Sequence, residues 1–281
     1  RCLRCGVCSE CLECVAACER SAISHDMEDD IEEFKVGTIL LTTGFKEFDP
    51  HKAPELGYGK LDNVITAMEF ERLINVSGPT GGEVRLKNGE YPSSVAIVHC
   101  VGSRDSKHNE HCSRACCMYS LKLAQLVREY VHADVFEIYR DMRTFGKDYE
   151  EFYNRTQAKG VNFYHGRVNK IERRNGHLVV HWDEAFFNQP NQVAVDMVIL
   201  ATGFEPQQDT AHVSNIFGVS RSKDGFFLEK HPKLAPVETA SQGIYLAGAC
   251  QSPKDIPDSV AQAGGAAAAA LSLLDQGSIT L

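Results

Sequence analysis

The sequence lacks the features that mark several large classes of protein. Its 281 residues contain no apolar run of about 18 residues, the length that spans a bilayer as a helix. No secretory signal is evident. The net charge is −9 and no run of basic residues offsets it, which argues against binding to nucleic acid. We therefore expect a cytoplasmic protein that binds no nucleic acid and does not insert directly into a membrane.

The glycines of a dinucleotide-binding turn are also missing. Residues 95–98 read as a buried strand, and the chain then leads into a predicted helix over 113–130. In a dinucleotide-binding unit the turn between them would read G-x-G-x-x-G, so that the backbone could approach a pyrophosphate. Here the same stretch holds Cys100, Cys112, Cys116 and Cys117. The pattern predicts a Rossmann-like module in which thiols occupy the nucleotide position.

Four thiols at one place are a ligand set for a metal or an iron–sulfur cluster. Three of the four fall within six residues, which is more than packing requires. Cys116 and Cys117 are adjacent, so they are poor disulfide partners for each other. A zinc ion held by four thiolates is the alternative.

A second group of cysteines lies at the start of the sequence. The chain has eleven cysteines, and their clustering indicates a reducing compartment and soft-ligand metal chemistry. This N-terminal group comprises Cys2, Cys5, Cys8, Cys11, Cys14 and Cys18. Its last four members fit C-x2-C-x2-C-x3-C, the spacing of bacterial ferredoxins. Six thiols are too many for one cubane and too few for two, so the choice of ligands stays open. A zinc ribbon is the alternative, although its ligand pairs usually have longer spacers.

The remaining chain reads as alternating strands and helices. A strand ending in Thr43-Gly44 recurs as a strand ending in Thr202-Gly203, and residues 243–248 resemble both. Further strands are predicted over 134–139, 161–165, 168–173, 177–182 and 195–200, with helices over 66–75 and 148–159. A loop at 249–262 leads into a long helix that ends near Asp275. The free N–H groups of that helix start, with Lys254, suit the electron-rich edge of a reduced flavin, whereas an ordinary capped helix is the alternative.

This order of pieces resembles the thioredoxin reductases, and within that class the A subunit of heterodisulfide reductase. The likeness runs from about residue 36 to residue 274. Its motifs are SGPTGG at 77–82, HCVGSRD at 99–105, CSRACCMY at 112–119, FGKDYEEFY at 145–153, HPKL at 231–234 and QSPKDIPD at 251–258.

The resemblance implies an α/β flavoprotein with two dinucleotide-binding domains, Rossmann-like and thioredoxin-reductase-like. Residues 1–35 would be a truncated, ferredoxin-like iron–sulfur segment, and 36–93 the end of the first half of the FAD domain plus a linker. Residues 94–204 would be an inserted NAD-like domain carrying a [4Fe–4S] cluster, and 205–281 the C-terminal part of the FAD domain. Because Arg1 already lies inside a cysteine motif, we expect the chain to be a piece of a longer polypeptide that alone holds FAD loosely.

The family's site residues carry over to matching positions. Cys100, Cys112, Cys116 and Cys117 match the ligands of the inserted cluster, with one or two more clusters expected near the N-terminus. The positions that match flavin contacts are Thr43, Gly44, Gly203, Gly248, Lys254, Asp255, Ile256 and Gln262. No hydrolytic or other catalytic side chains stand out. Lone Cys250 is interpreted as structural.

The implied function is that of an oxidoreductase. It is an FAD- and [4Fe–4S]-containing electron-transfer subunit that takes part in flavin-based electron bifurcation or confurcation. Its partners would be disulfide-reducing subunits and hydrogenase or dehydrogenase electron donors, in an oligomer. Three alternatives remain open: an NAD(P)H-dependent flavoprotein reductase like the small subunit of glutamate synthase, a component of a quinone-interacting complex held at a membrane through a partner, and a zinc-stapled scaffold.

Overall fold

The structure, a computed structural model, describes residues 12–185 and 189–275. The chain divides into two units, Arg1–Gly37 and Thr38–Leu281. The described part of the first unit holds a short helix, α1 (Glu13–Ala16), none of whose residues is buried. Cys2, Cys5, Cys8 and Cys11 lie outside the described residues.

A large sheet dominates the second unit. Its elements, in chain order, are β1 (Ile39–Leu41), β2 (Phe45–Glu47), β3 (Val64–Thr66), α2 (Ala67–Ile74), β4 (Ser94–Val101), α3 (Cys116–Leu126), β5 (Asp134–Tyr139), α4 (Tyr149–Ala158), β6 (Asn162–Arg174), β7 (His177–Glu184), β8 (Pro190–Val195), β9 (Met197–Thr202), β10 (Phe204–Pro206), α5 (Thr210–Phe217), β11 (Ile244–Leu246) and α6 (Ile256–Leu274). Short 3-10 turns at Pro50–Lys52, Pro54–Leu56 and Gly248–Cys250 complete it.

The large sheet has the order β3-β9-β4-β5-β6-β7-β8 in the described chain. The strands from β3 to β6 run parallel, and β6, β7 and β8 form an antiparallel meander. Central parallel strands must be covered on both faces. On one face Phe70 of α2 and Leu123 of α3 pack against Ile97. On the other face Phe48 and Trp182 pack with Val98. β4, which carries the first of the clustered thiols, is therefore held firmly.

Two smaller pieces flank this sheet. β1 and β11 pair in parallel, and α6 packs Ala266 and Ala270 against Tyr245 of β11. β2 and β10 form an antiparallel ribbon in which the rings of Phe45 and Phe204 stack with their centroids 3.7 Å apart. The chain leaves the β1–β11 region through β2 and returns towards it through β10.

The structure differs from the predicted elements at several places, and β2, β8, β10 and α5 are among the elements that were not predicted. β3 was not predicted, and it joins residues 64–66 to the large sheet. The strands expected over 161–165 and 168–173 are one continuous strand, β6. The helix expected over 113–130 begins three residues later, at Cys116, and its last part, Val127–Val131, is a π-helix.

The late start of α3 has a local cause. Arg114 has φ of +58°, which a right-handed helix does not allow. Ser113, just before it, accepts a hydrogen bond from the backbone N–H of Phe204 at 2.7 Å. Ser113 is thus used to attach the loop to β10 and not to cap the helix.

None of the helices in the described ranges is long and apolar enough to cross a membrane.

Asp196 fixes the start of β4 beside the start of β9. Its Oδ2 accepts hydrogen bonds from the backbone N–H groups of Ser93, at 2.9 Å, and Ser94, at 3.1 Å, and from both hydroxyl groups. Burial by itself raises the pKa of Asp196, but these hydrogen bonds outweigh it and hold the pKa below its ordinary value. The ionised carboxylate therefore stabilises the fold.

We expect Asp196→Asn to lower the free energy of unfolding at pH 7 by about 1.5–3 kcal/mol, since hydrogen bonds to a charged group are lost. A lowered folded pKa gives stability that is present above the unfolded value, about 3.9, and is lost as the pH falls through the folded value. The difference between wild type and variant should therefore shrink below about pH 3.9. Urea unfolding at pH 7 and at low pH measures both effects. Asp209→Asn, at an exposed carboxylate that makes no side-chain capping bond, is the control and should change stability little.

Candidate metal centre

The loop after β4 leaves the sheet through an irregular backbone. The pairing of β4 with β9 shifts register between Val98 and Val101, which is the mark of a bulge. Cys100 and Arg104 have φ of +59° and +57°. Non-glycine residues with positive φ are uncommon and cluster at functional sites, where the surrounding structure holds them. The bulge and the turn together separate Cys100 from the regular side-chain alternation of β4.

Four cysteines line one cavity at the end of this strand. The cavity walls are Cys100, Cys112, Cys116 and Cys117, together with Ser103, Arg104, Ser113, Arg114, Asp141 and Arg143. Two of the thiols belong to the first turn of α3, one to the end of β4 and one to the loop between them. The sequence-based expectation that these positions come together in space therefore agrees with the folded chain.

The described residues contain no group of three or more His, Cys, Asp or Glu side chains arranged to hold one metal ion. A zinc ion binds thiolates at about 2.3 Å, so its four sulfur ligands must nearly touch. A cubane of irons and sulfides is larger than one ion, and its thiolates stand correspondingly further apart. The two groups therefore make different demands on the spacing of the four sulfurs.

The thiols differ in their surroundings. Burial raises the pKa of Cys116, whose sulfur lies 3.8 Å from the carbonyl oxygen of Thr202. Burial likewise raises the pKa of Cys100. For Cys117 burial acts in the same direction, but the neighbouring His99 outweighs it and the pKa is lowered. Coordination to a metal deprotonates a thiol outright, so a bound metal would remove the cost that burial places on thiolates here.

A buried ion pair lies beneath Cys117. Nε2 of His99 is 2.8 Å from Oε2 of Glu137, and the two side chains are 1% and 0% exposed. Burial lowers the pKa of His99, but Glu137 and the Cys117 thiol outweigh it and raise the pKa to about 10. Sequence reasoning missed this pair. The signal was available, since Glu137 is a charged residue inside the apolar strand 134–139 and needs a buried partner.

Arginine side chains supply positive charge to the cavity wall. Arg104 forms an ion pair with Asp141, and its Nη1 is buried without a hydrogen-bond partner. Arg114 reaches Asp258 at 2.6 Å and lies over the ring of Phe145. An unpartnered buried N–H on a residue that lines this cavity points to an acceptor such as an inorganic sulfide.

The predicted flavin positions fall mainly at the start of α6. Gln262 accepts a hydrogen bond from the backbone N–H of Gly248 at 2.8 Å. Asp255 caps α6 by accepting from the N–H of Asp258. Lys254 donates to the hydroxyl of Ser252 at 2.6 Å, and burial lowers its pKa. These groups share one loop and the first turns of one helix.

Three of the predicted positions lie away from the start of α6, and a fourth, Ile256, is the first residue of that helix. Gly44 has φ of +73°, and a Cβ added there would meet no atom within 4 Å. Thr43 precedes it, two residues after Leu41, the last residue of β1. The carbonyl of Leu41 accepts a hydrogen bond from the N–H of Ala247. Ile256 is exposed. A Cβ on Gly203 would lie 2.0 Å from Ser103 Oγ. Gly203 thus packs against the thiol loop, a role that sequence reasoning did not assign to it.

One contact joins the thiol loop to the start of α6, and a second joins α4 to it. One is the ion pair of Arg114 with Asp258. The other is the hydrogen bond from the Tyr149 hydroxyl to Asp255 Oδ2 at 3.1 Å. The four-thiol cavity and the predicted flavin loop are therefore direct neighbours.

In the first unit, the described residues include two of the predicted ligands, Cys14 and Cys18. Cys14 is exposed, and its sulfur lies 3.3 Å from Nε2 of His25. Cys18 accepts from the N–H of Ala22 at 3.3 Å, and this hydrogen bond lowers its pKa. The ligation predicted for the N-terminal cysteines stays a prediction.

Residues 117–267 match the protein family described as pyridine nucleotide-disulphide oxidoreductase. The chain is 45% identical over 279 residues to the A subunit of the H(2):CoB-CoM heterodisulfide,ferredoxin reductase of Methanothermobacter thermautotrophicus, covering 98% of this chain and 42% of that protein. It is 44% identical over 282 residues to the iron-sulfur A subunit of the CoB--CoM heterodisulfide reductase of Methanocaldococcus jannaschii, again covering 98% and 42%. The chain thus spans less than half the length of these curated relatives.

Solved structures share the fold. The thioredoxin reductase of Lactococcus lactis superposes with a TM-score of 0.54 at 15% identity, covering 87% of this chain and 68% of that one. The thioredoxin reductase of T. acidophilum gives 0.52 at 14% identity, covering 86% and 66%. The thioredoxin-reductase-like fold and the resemblance to the heterodisulfide reductase A subunit, both predicted from the sequence, are confirmed.

Proposed function

We propose a function for this chain from the family to which it belongs, the pyridine nucleotide-disulphide oxidoreductases, within which it is a homologue of the heterodisulfide reductase A subunit. The proposed function is that of an FAD- and [4Fe–4S]-containing electron-transfer component of a heterodisulfide reductase-like complex. One observation carries the proposal most directly. The cavity lined by four thiols is bonded, through Arg114 and Asp258, to the helix start where flavin contacts are predicted. Two sites suited to electron carriers therefore touch.

The residues around the cavity fit an iron–sulfur cluster. Cys100, Cys112, Cys116 and Cys117 would be its ligands, and four thiolates are the usual set for a cubane. Four thiolates bring a large negative charge into a partly buried site. The guanidinium of Arg104 lies in the same cavity wall, and its Nη1 has no hydrogen-bond partner among the described residues. The donor set therefore fits a cubane in number and in chemical softness.

The loop before α6 fits a flavin. Lys254 is half-buried, and the positive end of the helix dipole at the start of α6 adds positive potential. Asp255 holds that start in place by capping it. FAD, when bound, exchanges electron pairs for single electrons, and a cubane cluster carries single electrons. Tyr149 and Arg114 would keep the two sites adjacent, because each bonds a carboxylate of the α6 start.

The finer parts of the proposal rest on the relatives. The names of related A subunits, that of Methanococcus maripaludis among them, include heterodisulfide, ferredoxin, H2 and formate. We extend the proposal to partner subunits that reduce a disulfide or deliver electrons from hydrogen or formate, and to flavin-based bifurcation or confurcation. One or two further clusters on the N-terminal cysteines, and residence in the cytoplasm, belong to the same proposal.

Chemical analysis of the anaerobically purified chain tests the proposal. We expect about four iron atoms and four acid-labile sulfides for the inner cavity, with more if the N-terminal cysteines are loaded. We also expect added FAD to bind and, once reduced, to pass electrons to the cluster, as followed by visible absorbance and electron paramagnetic resonance. Zinc without sulfide would instead support a zinc-stapled scaffold. Rapid reduction of bound FAD by NADPH or NADH would support a pyridine-nucleotide reductase.

A further inference from the structure

The His99–Glu137 pair occupies a place that usually holds apolar side chains. Ile97 of β4 pairs in register with Glu137 of β5. Side chains two residues apart share one face of a strand, so His99 lies on the same face as Ile97 and Glu137. This face packs against α3, whose first turn carries Cys117. The pair is thus inserted between the sheet and the start of the thiol-bearing helix.

Stability does not explain such a pair well. Taking an imidazolium and a carboxylate out of water costs several kcal/mol per ion, and apolar residues of similar volume often serve the fold equally well. The pairing here also leaves atoms unused. His99 Nδ1 and Glu137 Oε1 are both buried without a partner that meets hydrogen-bond geometry. A fully buried, half-satisfied pair points to a further acceptor or donor at the site.

The unused nitrogen is directed towards the ligands. His99 directly precedes Cys100, and the Cys117 thiol is close enough to raise the pKa of His99. Because Nε2 faces the carboxylate of Glu137, Nδ1 is the ring nitrogen left for the sulfur ligands. A thiolate or a sulfide offers that nitrogen only an acceptor, so the bond that fits the site is one in which the ring donates.

We propose that His99, oriented by Glu137, is a positioning residue that donates its Nδ1–H to the sulfur of Cys117 in the loaded site and raises the reduction potential of the cluster held there. The proposal rests on the proposed function, since it requires a cluster on these thiols. Reduction adds negative charge to the cluster, and hydrogen bonds to its sulfurs favour that state. Glu137 acts through His99, in the way that a carboxylate fixes the orientation of a metal-ligating histidine.

Three variants of the reconstituted chain test the proposal. His99→Leu removes the donor, His99→Gln replaces it with an amide donor, and Glu137→Gln keeps the shape of the side chain that orients the ring but removes its charge. Iron and sulfide are measured first, and the potential is then read from a redox titration followed by electron paramagnetic resonance. We expect His99→Leu to shift the reduction equilibrium at least tenfold towards the oxidised cluster, which is about 59 mV for one electron. Glu137→Gln should shift it in the same direction, and His99→Gln should recover part of the loss.

The matched control is His181→Leu. His181 pairs with Glu172 at 3.2 Å in the β6–β7 hairpin, whose strands carry none of the four thiols. This variant should leave the potential unchanged.

The outcomes separate this proposal from the function it rests on. A wild-type chain without iron and sulfide would overturn both. A wild-type cluster whose potential is the same in all three variants would overturn the role of His99 alone. If His99→Leu fails to hold iron, Glu137→Gln decides, since it is nearly isosteric. Iron loss in both variants, with iron retained in His181→Leu, would assign the pair a structural role and also overturn the proposal.

Discussion

Replacing Cys117 by serine is expected to remove about four iron atoms and four sulfides from each chain. A hydroxyl is a harder and far weaker ligand for iron than a thiolate. Burial raises the pKa of Cys117, but His99 outweighs burial and the pKa is lowered. Its thiolate therefore forms more readily than those of Cys100 and Cys116, whose pKa values are raised. Iron and sulfide analysis after anaerobic reconstitution measures the loss.

The control for this variant is Cys250→Ser. Cys250 is equally buried, at 2% exposure, but its sulfur bonds the carbonyl of Leu41 at 3.1 Å, and it does not line the four-thiol cavity. Serine can make that bond, so iron content should stay at the wild-type value. Equal iron in Cys117→Ser and wild type would refute the assignment of Cys117 as a ligand. Equal losses of iron in both variants would mean that the iron content depends on whether the chain folds and not on Cys117 as a ligand.

The gathering of the four thiols could be predicted because it follows from topology. Cys100 ends a strand and Cys116 and Cys117 begin the next helix, and in a parallel sheet these two places are always neighbours. The spacing of the cysteines then needed only one loop of the right length. Local pattern and chain order were sufficient, without knowledge of any contact distant in sequence.

The surroundings of the thiols could not be predicted in the same way. His99 meets Glu137 only because β4 and β5 pair in one register, and a shift of one residue would place them on opposite faces. Arg114 meets Asp258 across 144 residues of sequence. Periodicity carries no information on either contact. The helix start failed for a related reason, since Ser113 is drawn to the backbone of Phe204, a residue on a distant strand.

The glycines show the same division between pattern and contact. The sequence singled out Gly203 for its place in a repeated Thr-Gly motif and linked it to the flavin. The fold gives it a second constraint, because Ser103 and Ser113, which share a hydrogen bond of 2.6 Å, close over it and leave no room for a Cβ. A motif marks where backbone freedom is needed, but only the packed structure shows which neighbour requires it.

Gly102→Ala is expected to be among the most destabilising single changes in the thiol loop. Gly102 has φ of +74°, and a Cβ there would lie 2.1–2.3 Å from three atoms of the Phe48 ring. Phe48 is 1% exposed and belongs to the core beneath the sheet, so it cannot move aside freely. The left-handed backbone costs a non-glycine residue about 1–3 kcal/mol, and overpacking adds about 1–3 kcal/mol. We expect a loss of roughly 2–6 kcal/mol in the free energy of unfolding, measured in urea, together with lower iron content.

Gly176→Ala separates the two causes. Gly176 lies in the turn between β6 and β7 with φ of +88° and no atom within 4 Å of an added Cβ, so only the backbone cost of about 1–3 kcal/mol applies. The excess of Gly102→Ala over Gly176→Ala is therefore the cost of the contact with Phe48. Phe48→Leu, combined with Gly102→Ala, should recover part of that excess, because a smaller side chain makes room. If the two glycine variants lose equal stability, the chain does not leave β4 against Phe48 as described. The geometry that brings Cys100 to the cavity would then need another origin.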